Sequence, residues 1–120
     1  MLRASIVAIL ALTAAPFATA HHTYAMFDPL KSVTLTGTLK EFQWTNPHCF
    51  IQLLVSGQGA PAEWSIQMDS PQGIYRRGWR PRTLKPGDKI TLVIRPTRDG
   101  SHSGRYVSGT GPDGKALLED

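Results

Sequence analysis

From Val33 onward apolar and polar positions alternate, with Val33, Leu35, Gly37 and Leu39 set against Thr34, Thr36, Thr38 and Lys40. A period of two is the signature of a half-buried β-strand. At Glu41-Phe42 the apolar phase slips by one residue, so that Phe42 and Trp44 carry it. A slip inside a long first strand predicts a bulge, and Gly37 helps the same strand to bend. Thr45-Asn46-Pro47 reads as a tight turn, because proline fixes φ and asparagine caps its own backbone. A mostly apolar second strand is expected over 48–55, a Gly/Pro turn over 56–61, and a third strand over 63–68 with Trp64, Ile66 and Met68 on one face.

Ser70-Pro71 then announces a helix, with serine as N-cap and proline at the first helical position. The helix is short, and Gly78 is its expected stop. After the turn 84–88, residues 89–95 alternate again, with Ile90, Leu92 and Ile94 on one side. A fifth strand is expected over 105–110. Three strands, one short helix and two strands form the element order of an OB-like five-stranded barrel, a mainly β fold. A small open sandwich shares that order, since order alone does not fix strand pairing. The resulting organisation is a leader over 1–20, an arm over 21–32 that shows no clean periodicity, and the barrel over 33–120.

The first twenty residues read as a secretory signal peptide. Arg3 supplies the charged start, 4–15 the apolar run, and Ala18-Thr19-Ala20 the small-x-small cleavage pattern. The apolar run is too short for a membrane span, and no later stretch approaches the ~20 residues that one needs. Export to the periplasm or medium is therefore expected. Cleavage after Ala20 would leave 100 of the 120 residues, starting at His21, with 12 of the 13 basic residues against 9 acids. So modest an excess does not point to nucleic acid as a partner, although barrels of this type often stack bases on aromatics. Phe42, Trp44, Phe50, Trp64 and Tyr106 are better placed as core. Cys49 is the sole cysteine, which excludes an intramolecular disulfide or a multi-cysteine metal site and reads as a small buried hydrophobe.

The segments HHTYAMFD (21–28), TGTLKEFQWTNPH (36–48), SPQGIYRRGW (70–79) and LKPGDKITLVIRPTRDG (84–100) resemble a family of small exported bacterial proteins catalogued as a domain of unknown function. The resemblance spans nearly the whole mature chain. It implies export and a small β-rich domain, and it implies no activity.

Candidate chemistry rests on the four histidines, His21, His22, His48 and His102. A histidine at a free N-terminus chelates through its α-amine and its ring, and a further imidazole completes a three-nitrogen set suited to Cu(II). In this respect His21 resembles the first residue of histidine-brace copper proteins. His48 opens the second strand and His102 lies in the loop before the fifth; both loops border the usual ligand face of an OB barrel. The arm is long enough, roughly 40 Å when extended, to return to that face. Copper carriage or sequestration is the function these residues predict. The alternative is a non-metal binding or adaptor domain that uses the barrel face and the basic cluster Arg76, Arg77, Arg80 and Arg82 to hold an anion or a protein partner. No G-x-S-x-G, HExxH or phosphate-cradling glycine loop is present, so no enzyme is predicted.

Overall fold

The computed structural model describes residues 22–120; the leader and His21 lie outside the described residues. A short helix α1 (His22–Ala25) precedes strand β1 (Val33–Gln43), which is followed by β2 (Phe50–Val55) and β3 (Ala62–Gln67). Helix α2 (Pro71–Arg76) leads to β4 (Lys89–Pro96) and β5 (Ser103–Thr110). The strands close into a barrel in the order β1-β2-β3-β5-β4. All neighbours are antiparallel except β3 and β5, which run parallel through Ser65–Ser103, Ile66–Gly104 and Gln67–Arg105. This is the OB-like barrel that the element order predicts, with pairing that excludes the open sandwich.

Closure depends on β1, which serves two neighbours. Its first half pairs with β4 from Val33 to Thr38, and its second half pairs with β2 from Thr38 to Gln43. The register shifts between Leu39 and Glu41, where the hydrophobic phase slips. Gly37 sits at the bend because a Cβ there would collide with the Leu54 carbonyl oxygen and touch the Leu53 side chain. Inward residues of all five strands, among them Leu35, Leu39, Ile51, Leu53, Ile66 and Leu92, form one buried core.

Helix α2 plugs one end of the barrel. The Ser70 hydroxyl accepts from the Gly73 amide at 3.1 Å, the N-cap bond that offsets one orphan donor of the first turn. Gly78 ends the helix at φ +102°, a left-handed conformation that glycine adopts without strain. The chain then drops Trp79 fully into the core. Its indole Nε1 donates to the Glu119 carbonyl at 2.7 Å, and its ring meets Tyr106 edge-on at 5.7 Å. The Tyr106 hydroxyl donates to the Leu118 carbonyl at 2.8 Å, and burial pushes that phenol upward, reinforced by Asp120. These two bonds latch the C-terminal segment beneath the plug.

The arm differs from the sequence expectation at its start, where His22–Ala25 makes a single helical turn closed by the Phe27 amide on the Tyr24 carbonyl at 3.2 Å. One turn leaves no apolar period to detect.

Gly37→Ala overpacks the bend of β1. We expect a loss of about 1–3 kcal/mol, read as a lowered urea midpoint with unchanged slope; an unchanged midpoint would show that the bend tolerates a side chain.

Candidate functional site

The arm doubles back over the barrel. The Asp28 amide donates to the Pro96 carbonyl at 2.8 Å and the Arg98 amide to the Met26 carbonyl at 2.9 Å, while Phe27 bridges Thr97 in antiparallel fashion. Phe27 is buried to 6 % exposure. The Arg98 Nε also donates to the Ala25 carbonyl at 3.1 Å. These bonds hold α1 against the outer face of β3 and β5, where the guanidinium of Arg105 lies 4.6 Å from the Tyr24 ring centroid. At that distance the cation is attracted by the ring quadrupole.

Beneath the arm, Arg105 also donates to Asp120 at 3.0 Å, and the other Asp120 oxygen accepts from the Asp69 amide at 2.7 Å. Burial raises the Asp120 carboxyl despite the Asp69 amide and the Arg105 charge. Asp69 is held low, first by the Ser70 amide and then, against burial, by Arg77. Gln67, the β3 neighbour of Arg105, is only 7 % exposed. Its Nε2 and the Arg105 Nη1 have no hydrogen-bond partner among the described residues. A cleft of about 220 Å³ between arm and sheet is lined by Gln67 together with Met26, Phe27, Phe50 and Thr97.

His48 and His102 have different partners. His48 Nδ1 lies 3.0 Å from the Met68 carbonyl oxygen. A carbonyl only accepts, so Nδ1 is the donor and Nε2 takes no part in this bond. The turn before it is tied by Thr45, whose hydroxyl donates to the His48 carbonyl at 2.7 Å. His102 stacks on Trp64 with centroids 4.8 Å apart. Met68 follows β3 and Trp64 lies within it, four residues earlier, so the two rings have different neighbours. His22 lies in α1, and His21 lies outside the described residues. Among the described residues no three His, Cys, Asp or Glu side chains gather as a metal site. Cys49 is fully buried, and burial raises its thiol, which leaves it an inert core residue; Met68 is fully buried as well.

Of the basic cluster, Arg77 donates to Asp69 and the Gly73 carbonyl. Arg80 donates to the Tyr75 and Trp79 carbonyls and lies over the Tyr75 ring at 3.6 Å. Both therefore tie down α2. Arg76 borders a groove of about 370 Å³ with Trp44, Pro71, Gln72 and Tyr75, and Arg82 is exposed on the loop that follows Trp79.

Sequence reasoning did not single out Gln67, Arg105, Tyr24 or Phe27. Gln67 and Arg105 occupy outward strand positions, which read as solvated until a second layer covers them, and that layer is an aperiodic arm.

The arrangement defines a small OB-like barrel whose outer β3–β5 face is strapped by its own N-terminal arm. The chain belongs to the family described as Family of unknown function (DUF6152), whose model matches residues 8–106. No curated protein matches the chain. Among solved structures it is similar to the mitochondrial single-stranded DNA binding protein Rim1 of S. cerevisiae, at 12 % identity over 75 % of this chain and 97 % of that one, with a TM-score of 0.47. Among the described residues no helix is long and apolar enough to cross a membrane.

Phe27→Ala removes the side chain that seats the arm. Exchange of the Asp28 and Arg98 amides should quicken at least tenfold, whereas the Leu53 and Ile66 amides keep their protection; equal acceleration of all four would place Phe27 in the barrel's own core. The lowered carboxyl of Asp69 contributes stability that is fully present above pH ~4 and is lost as pH falls through its folded value. Asp69→Asn should flatten that acid slope in melts between pH 2 and 5, and an unaltered slope would assign it to other carboxylates.

Proposed function

We propose that this is an exported metal-binding protein that carries or sequesters copper, with the amino group and ring of a mature N-terminal His21 as primary donors. His48 supplies a further nitrogen, His22 is available to complete the set, and His102, stacked on Trp64, stands apart. The observation that carries this reading is the His48 ring. Its Nδ1 hydrogen bond to the Met68 carbonyl is the outer-shell contact that orients metal-ligating histidines and leaves Nε2 as the donor atom.

The docked arm supports it too. Tyr24 rests on Arg105, and His21 precedes Tyr24 by three residues, which rise by roughly 5 Å where the chain is helical over His22–Ala25. An all-nitrogen donor set suits Cu(II), which favours tetragonal coordination. The bound ion would be cargo, and no turnover is required of the protein.

Titration of Cu(II) into protein that begins at His21, into the same protein extended by one glycine, and into His48→Ala tests the proposal. Both changes should weaken binding at least tenfold, and His102→Ala should leave it unaltered. Equal affinities in all four proteins, or mass spectrometry of exported material showing another first residue, would overturn it. The adaptor reading, centred on the Arg76 groove, would then stand.

A further inference from the structure

We propose that the groove between Trp44 and helix α2 docks an extended acidic segment of a partner protein, with its apolar side chains on Trp44, Pro71 and Tyr75 and a carboxylate on Arg76. The inference is independent of copper at the N-terminus, since no histidine lines the groove.

Charge sets the sign of the partner. From Ser70 to Gly87 the sequence carries Arg76, Arg77, Arg80, Arg82 and Lys85 and no acidic residue. Two of these guanidinium groups are committed within the fold. Arg77 is held by Asp69 at 3.3 Å and the Gly73 carbonyl at 3.1 Å, and Arg80 by the Tyr75 and Trp79 carbonyls. Arg76 lines the groove, is exposed, and takes part in no ion pair among the described residues. Arg82 and Lys85 are exposed on the loop beyond. A carboxylate is the complement of such a face. A second copy of this chain is not, because its formal charge is +4 and like charges repel.

The walls decide between a free anion and a chain segment. One exposed ion pair changes affinity by roughly fivefold at most, so apolar contact has to supply the rest. Trp44, Pro71 and Tyr75 offer it along a groove of about 370 Å³, and grooves lined by aromatic rings recognise extended segments by side-chain packing. Both rings are fixed before any partner arrives. Trp44 meets Phe42 edge-on at 5.9 Å, and Phe42 leans on the buried Trp79 at 5.7 Å. Tyr75, 53 % exposed, has the Arg80 guanidinium 3.6 Å from its ring centroid. Walls already in place cost no ordering on binding. Because the apolar groups line a hollow rather than project from it, a lipid surface is the poorer match.

Three short capped peptides separate the contributions: proline–glutamate repeats, which proline keeps extended, proline–glutamine repeats without the charge, and glycine–glutamate repeats without the rings. Each is titrated into the isotopically labelled full-length mature protein and followed by NMR. The proline–glutamate peptide should shift the Trp44 indole together with Gln72, Tyr75 and Arg76. It should bind at least about fivefold more tightly than either control, and its lead over the glutamine peptide should close as salt approaches about 1 M. Arg76→Gln should shrink that lead while leaving the glutamine peptide unaltered. Lys31→Gln, the same charge loss ahead of the opposite end of β1, should change nothing. Equal affinity for the three peptides, shifts confined to residues outside the groove, or no shift at millimolar peptide would each overturn the proposal. So would phosphatidylserine vesicles that shift the same residues at lower concentration, or Trp44 signals that move with protein concentration alone. The first of these would assign the face to a membrane and the second to self-association.

Discussion

Every strand of this barrel must have two neighbours, and that demand falls hardest on β1. It pairs with β4 along one half and with β2 along the other, so it has to turn through the barrel wall within eleven residues. The bulge after Leu39 and the missing side chain at Gly37 make that turn possible. Without it the sheet would remain open and its apolar inner face would stay wet. The plug of α2 and Trp79 has a space to fill only because the wall closes around it.

A closed wall has an outer face as well, and the arm converts part of that face into a second interior. Phe27 seats the arm, while main-chain bonds to Pro96 and from Arg98 fix its path. Tyr24 then covers Arg105. Polar groups that would be solvated on a bare barrel thus become desolvated, among them Gln67, Arg105 and Asp120. In that setting each hydrogen bond is stronger and each missing partner more costly.

Much of the barrel was legible because its signals are local. Alternation marked the strands, the phase slip at Glu41-Phe42 marked the bulge, and Ser70-Pro71 marked α2 with its cap. Cys49 read as a small buried hydrophobe, and it is one. The strap was not legible. Its single helical turn is too short for a period, and its anchors are main-chain bonds that any residue can make. Gln67 and Arg105 looked like surface positions since nothing nearby in sequence says that a segment forty residues upstream lies on top of Gln67. The partners of His48 and His102, the Met68 carbonyl and the Trp64 ring, likewise depend on register, which element order leaves open.

The parallel contact of β3 with β5 has a kinetic meaning. Neighbours β1–β2, β2–β3 and β4–β5 are joined by short connections, whereas Ser65 meets Ser103 across 38 positions of chain. Closing so long a loop costs more entropy than forming a hairpin, and non-local pairing of this sort slows folding. The β3–β5 face is therefore assembled across one of two long-range seams, the other being β1–β4, where Val33 meets Ile94 across 61 positions, and both cost more closure entropy than the hairpins.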